Sequence, residues 1–219
     1  MGLLNKFDIS GIKRTFNLQN YMETGTGTGE SLSFVMSFNF NKYLTVDIDE
    51  DLSTSTSKKY PNARYYVGKS TDVLGDMLED LGPEPALIFL DAHFPGADFH
   101  KISYLESMET YKEDAFPLEK ELTLLKELRN IDNDVIIIDD YWIYDKTEDF
   151  HKYPFLVSND WFESLDGKRV WKHQEFVDNL EMNINLNIES FLESIANTHD
   201  VGKVYQDQGY LIITPKEKE

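Results

Sequence analysis

Cysteine is absent from the 219 residues. Disulfides, zinc–thiolate sites and cysteine nucleophiles are therefore excluded. Basic residues are scarce too: 21 Lys and Arg stand against 40 Asp and Glu, a formal net charge of −19. A surface of that sign repels phosphate backbones, so a nucleic-acid partner is not expected. No run approaches the roughly 20 apolar residues of a membrane-spanning helix. The N-terminal stretch, with Lys6, Asp8, Lys13 and Arg14, lacks the apolar segment of a signal peptide. The expectation is a cytoplasmic protein without a membrane partner. Hydrophobic residues still make up 41% of the chain, enough for a core. The length fits one domain, and neither a repeat nor a linker divides it. Residues 1–219 read as a single domain, with 1–19 a leader that packs on it or frays and 141–200 a variable acceptor or lid region.

Glycine is concentrated in one place. Tyr21-Met22-Glu23-Thr24-Gly25-Thr26-Gly27-Thr28-Gly29-Glu30 alternates glycine with threonine after an acid. Glycine tolerates positive φ and lets another molecule approach the backbone closely. A glycine turn opening a helix presents free N–H groups and a positive dipole end to an anion or a polar small molecule. The spacing differs from the G-x-G-x-x-G dinucleotide fingerprint. By itself the signal is weak, and a surface turn is the alternative.

The rest of the chain gives the turn a context. Strands are predicted over Asn20–Thr24, Tyr43–Ile48, Arg64–Val67, Ala86–Leu90 and Val135–Ile138 from β-branched and apolar runs. Helices are predicted over Glu30–Phe40, from an N-cap at Ser70 to the Gly82-Pro83 stop, and from Pro117 through Leu118, Leu122, Leu125 and Leu128. A further helix is expected over Ser53–Lys59, although its residues are poor helix formers. Phe94–Ala115 reads as a long loop with a short helix, and a last helix begins at Asn187 or Ser190. Lys203–Gln206 and Tyr210–Thr214 read as a closing hairpin. Strands alternating with helices imply an α/β fold: a doubly wound, Rossmann-like, mostly parallel sheet with a C-terminal antiparallel hairpin. Ligands in such sheets sit beyond the carboxyl ends of the strands. The Gly25–Gly29 loop, Asp47, Gly68–Ser70, Asp91, His93, Asp139 and Asp140 all follow predicted strands, so they are expected to converge.

With these residues in place, the chain resembles class I S-adenosylmethionine-dependent methyltransferases. The pattern is an E-x-G-x-G-x-G loop, an acid at Asp47, a strand ending Leu90-Asp91, a strand ending Asp139-Asp140 and a terminal hairpin. Phe89-Leu90-Asp91-Ala92-His93-Phe94 and Val135–Asp140 are similar to a branch related to macrocin and catechol O-methyltransferases. The resemblance covers roughly residues 20–140 and the hairpin. It implies that Glu23, Thr24, Gly25, Thr26, Gly27 and Gly29 hold the methionine end of the cofactor. It also implies that Asp47, with Asp49 as its rival, accepts from the ribose hydroxyls, and that Asp91 and Ser70 complete the site, Ser70 near the adenine. The branch has Gly-Asp-Ser where this chain has Gly68-Lys69-Ser70. Relatives of this kind are often homodimers, although no segment here marks an interface.

Three carboxylates, Asp91, Asp139 and Asp140, follow two strands expected to be neighbours. Such a set raises one pKa unless a cation lies among them. Oxygen ligands suit Mg²⁺, Mn²⁺ or Ca²⁺, and the resemblance implies a metal that orients and acidifies the acceptor hydroxyl. The alternative is that the acids bind the cofactor amine, cap loops or touch substrate. His93 is either a general base, a metal ligand or a loop-fixing residue. His100 and His151 are weaker candidates, and His173 and His199 are expected on helix surfaces. The aromatic stretch 141–172 either forms a lid or acceptor pocket, with Tyr141 and Trp142 its leading residues, or packs most of its rings on the sheet. The function expected is methylation of a small hydroxyl-bearing acceptor, a sugar by the macrocin-type resemblance. The rivals are a nucleotide- or nicotinamide-binding enzyme on the same loop, and a non-catalytic cofactor-binding module.

Overall fold

The computed structural model describes residues 4–99, 101–141, 144, 188–204 and 209–217, together with the backbone of 161–163 and 169–171. His100, Trp142, His151, His173 and most of the aromatic stretch lie outside the described residues.

Five parallel strands carry the chain's first 140 residues: β1 (Asn20–Thr24), β2 (Lys42–Asp47), β3 (Arg64–Val67), β4 (Ala86–Leu90) and β5 (Val135–Ile138). Two antiparallel strands, β8 (His199–Val204) and β9 (Tyr210–Pro215), complete a seven-stranded sheet of order β3-β2-β1-β4-β5-β9-β8. Trp161–Glu163 (β6) and Arg169–Trp171 (β7) form a separate antiparallel ribbon. The expected Rossmann-like sheet with its terminal hairpin is present. The order places β1 and β4 side by side at the centre, so the glycine turn and Asp91 are neighbours: Thr24 pairs with Leu90.

The central strands are apolar throughout because both faces are covered. In β4, Ala86, Ile88 and Leu90 pack on one layer, and Leu87 and Phe89 on the other. The first layer contains α4 (Ser70–Leu81) and α6 (Leu118–Leu128), whose leucines at 74, 78, 81, 118, 122 and 125 face the sheet at helical spacing. The second layer contains α1 (Ile9–Thr15) and α2 (Glu30–Val35), with Leu4, Ile9, Leu18, Leu32 and Val35 buried. The leader therefore packs rather than frays, and Asp8 caps α1 by accepting from the Gly11 N–H at 2.8 Å.

Several expectations are corrected. The helix predicted to Phe40 stops at Val35 and tightens into a 3₁₀ turn, Met36–Phe38, that ends with Asn39 in the left-handed region. The helix after β2 starts three residues before the expected Ser53: α3 (Glu50–Lys59) is set by Asp49, whose Oδ1 accepts from the Asp51 and Leu52 N–H groups, both at 3.1 Å. The N-cap of α4 is Lys69, with no side-chain cap, and Ser70 is the first helical residue. The loop after β4 does contain the short helix expected there, α5 (Tyr104–Tyr111), opened by a capping box between Ser103 and Glu106. The last helix is α7 (Glu189–Ile195). His199 is not on a helix surface: it starts β8, is 2% exposed, and its Nε2 lies 3.1 Å from the Ile131 carbonyl.

Candidate functional site

One cleft lies beyond the carboxyl ends of β1, β2, β3 and β4 and has an empty volume of about 740 Å³ including its open mouth. Gly25, Gly27, Asp47, Ser70, Asp91 and His93 all line it. Residues separated by up to 68 positions are thus brought to one place by strand order.

The glycine turn is shaped by a close approach. Gly25 has φ of +80°, and a Cβ on it would lie 2.5 Å from the Asp91 carbonyl oxygen. No other residue type fits there. Asp47 holds the turn from the next strand: its Oδ2 accepts from the Gly27 N–H at 2.7 Å and its Oδ1 from the Asp49 N–H at 2.8 Å. Burial raises the Asp47 pKa, and those two backbone bonds work against the rise. Each carboxylate oxygen has a further lone pair for a ligand hydroxyl. Asp49, the rival, is engaged as the α3 N-cap and by the Lys101 ammonium. Burial pulls its pKa up, but Lys101 and the cap bonds together hold it below the ordinary value.

Four predicted cofactor residues, Glu23, Thr24, Thr26 and Gly29, do not line the cleft but support it. Glu23 is 1% exposed and accepts from the Tyr21 hydroxyl at 2.5 Å and the Thr45 hydroxyl at 2.8 Å. Burial raises its pKa to about 7, against the pull of those two bonds. Thr26 is 5% exposed and pairs with Thr45, 2.5 Å between hydroxyls. Thr24 is fully buried on the α6 side of the sheet. Gly29, at φ +78°, starts α2. A Cβ on it would press on Thr56 Cγ2 at 2.6 Å.

Two ion pairs straddle the cleft. Lys101, beyond β4, reaches Asp49, and Lys69 reaches Asp114 at 2.6 Å. Lys69, the departure from the branch pattern, thus ties the start of α4 to the segment roofing the cleft. Both pairs are exposed enough that each contributes little to stability.

His93 is where the carboxylates meet. Its Nε2 lies 2.5 Å from Asp140 Oδ2 and 3.4 Å from Asp98 Oδ2, and its Nδ1 lies 3.6 Å from Asp91 Oδ1. Burial alone would lower the imidazole pKa. Asp140, Asp98 and Asp91 overcome it and raise the pKa from 6.5 to about 10. The raised pKa favours the imidazolium at neutral pH, which argues for a charge-bearing role over that of a general base. Asp91 is raised well above the ordinary carboxylate range, first by burial and then by Asp139.

The metal expectation for Asp91, Asp139 and Asp140 does not fit this geometry. Asp140 has a left-handed backbone, φ 50°, and its carboxylate is taken by His93. Asp139 lines the same small cavity as Asp140, and its charge also acts on Lys6. Its pKa rises to about 6 through burial and Asp140. Among the described residues, no three His, Asp or Glu side chains are arranged to hold a metal ion. His93 supplies a positive charge among these carboxylates.

Beneath Asp91, Ala92 and His93 lies a smaller cavity, lined also by Leu118, Glu121, Asp139, Asp140 and Tyr144. Tyr141, the other described pocket candidate, is buried with Lys203 over its ring at 5.1 Å and lines neither cavity. Glu121, Asp98 and Tyr144 were not legible as site residues. Glu121 did leave a signal: it sits three residues after Leu118 and four before Leu125, an acid inside the apolar stripe of α6.

No protein-family profile and no curated protein sequence matches the chain. Its fold has solved counterparts. A presumed caffeoyl-CoA O-methyltransferase from Staphylococcus aureus superposes with a TM-score of 0.55 at 14% identity, over 99% of this chain and 85% of that one. A methyltransferase from Podospora anserina, solved with S-adenosylhomocysteine bound, gives 0.52 at 15% identity, over 95% of this chain and 76% of that one. The chain shares the Rossmann-like fold of these proteins.

Proposed function

We propose that the chain is an S-adenosylmethionine-dependent O-methyltransferase acting on a small hydroxyl-bearing acceptor, with a sugar the class favoured by the macrocin-type resemblance. The observation that carries this reading is the turn at Gly25. Its backbone is pressed against the Asp91 carbonyl, and it opens onto a cleft that also presents Asp47 and Ser70. Those residues fit the cofactor. The glycine turn leaves room for close approach of a ligand, the Asp47 carboxylate has lone pairs for two ribose hydroxyls, and Ser70 borders the adenine end.

When bound, S-adenosylmethionine supplies an electrophilic methyl group on a sulfonium. The chain's own residues then have two tasks. Asp91, which lines the cleft and whose pKa burial and Asp139 raise above the ordinary carboxylate range, takes the proton of the acceptor hydroxyl. The His93 imidazolium, held by Asp140, stabilises the negative charge that grows on that oxygen. In-line placement of acceptor and methyl in the cleft supplies the rest. No step here runs through a divalent metal.

Calorimetric titration of S-adenosylhomocysteine tests the reading. Micromolar binding is expected, lost in Asp47→Ala and unchanged by a chelator. Binding of a nicotinamide dinucleotide in place of S-adenosylhomocysteine would overturn it. Binding that requires added Mg²⁺ would restore a metal to the site.

A further inference from the structure

Glu121 is fully buried in α6, and neither of its carboxylate oxygens has a partner in full hydrogen-bond geometry. A buried orphan carboxylate is costly, so its retention calls for a reason. Three site elements surround it. The Thr24 hydroxyl ends β1 just before the glycine turn. The Ser70 hydroxyl starts α4 on the cleft wall. His93 faces it across the small cavity that Asp140 and Tyr144 also line. Burial raises the Glu121 pKa to about 7, while the hydroxyls of Ser70 and Thr24 favour the charged form. Ser70 can turn its hydroxyl inward because Lys69, not Ser70, occupies the N-cap position of α4.

We infer that Glu121 is a positioning residue of the cleft: from α6 it draws in the hydroxyls of Thr24 and Ser70, and so sets the glycine turn against the first turn of α4. The inference rests on the cofactor reading for its effect on binding, but the ordering of the two segments is independent of it. Leucine is close to glutamate in size and removes the buried charge, so Glu121→Leu is expected to melt at the same temperature or higher. Its affinity for S-adenosylhomocysteine should nevertheless fall about tenfold or more, as for a lost bond to a charged group. Glu121→Gln keeps an acceptor oxygen and should restore binding to within about threefold.

Titration calorimetry, thermal melting and amide hydrogen exchange on wild type and both variants decide the matter. Weaker binding at unchanged stability, rescued by glutamine, supports the inference. Glu121→Leu binding as tightly as wild type overturns it. If the wild type binds no S-adenosylhomocysteine, the cofactor reading fails, and exchange still decides this one. Faster exchange confined to 24–29 and 70–73 in Glu121→Leu supports the positioning role, and unchanged exchange there overturns it. If Glu121→Leu does not fold, Glu121→Gln is combined with Ser70→Ala. Non-additive losses support coupling through Ser70, and fully additive ones overturn it.

Discussion

At His93, carboxylates on three segments converge on one imidazole. Asp140 is the nearest, at 2.5 Å, and contributes the largest upward push on its pKa. Asp140→Asn keeps the shape and removes the charge. The His93 pKa should then fall from about 10 by roughly 1–3 units, the usual effect of one close opposite charge. Proton NMR titration of the ring checks this, and a wild-type His93 that titrates near 6.5 would contradict the geometry. On the proposed methyltransferase reading, methyl transfer should also slow, because the growing oxyanion loses part of its stabiliser. Nothing in Asp-x-His or Asp-Asp announces this arrangement. Read along the chain, the acids look like metal ligands and the histidine like a base. The 47 positions between His93 and Asp140 are closed only by the pairing of β4 with β5.

At the scale of elements, the turn between β1 and α2 and the helix α4 make opposite predictions for the same substitution. Gly25→Ala puts a Cβ 2.5 Å from the Asp91 carbonyl at φ +80°. It should cost about 1–3 kcal/mol or more and abolish cofactor binding. Gly75 lies inside α4, where a Cβ would meet only Leu128 Cδ1 at an ordinary 3.7 Å. Gly75→Ala should therefore raise stability by about 0.5–1 kcal/mol. Thermal melts of the pair separate the two, and equal effects would mean that the turn is not as tight as described. Elements with a strong local signal were legible. The bounds of β1, β3, β4 and β5 coincide with the apolar and β-branched runs, and α4 ends where Gly82 breaks it. Elements with a weak signal were legible only in part. The start of α3 depends on one capping aspartate, and β8 is an exposed edge strand whose polar residues lack alternation.

Across the whole molecule, the buried acids set the response to pH. Burial raises Glu23 and Glu121 to about 7 and, with Asp140, raises Asp139 to about 6. A group with a raised folded-state pKa contributes stability that is fully present below its unfolded pKa and lost as pH rises through the folded one. For these acids the loss runs from about pH 4 to about 7. His93 obeys the same rule higher up: its contribution is present below 6.5 and lost as pH rises through about 10. The losses add to the self-repulsion of a chain with net charge −19. The melting temperature should therefore fall steadily from pH 5.5 to pH 9, and scanning calorimetry across that range checks it. A melting temperature that climbs with pH would mean that the buried carboxylates are not where they are described.

The sequence by itself determined the alternation of strands and helices, the glycine turn, and which residues end each strand. These are properties of neighbours in the chain: side-chain periodicity, turn chemistry and the φ freedom of glycine. Tertiary structure decided the electrostatics. Strand order β2-β1-β4-β5 chose which carboxylate meets which cation, set His93 among the carboxylates, and brought Glu121 under Ser70 and Thr24. Charge interactions depend on distance through space and on burial, and neither quantity is written in the spacing of residues along the chain.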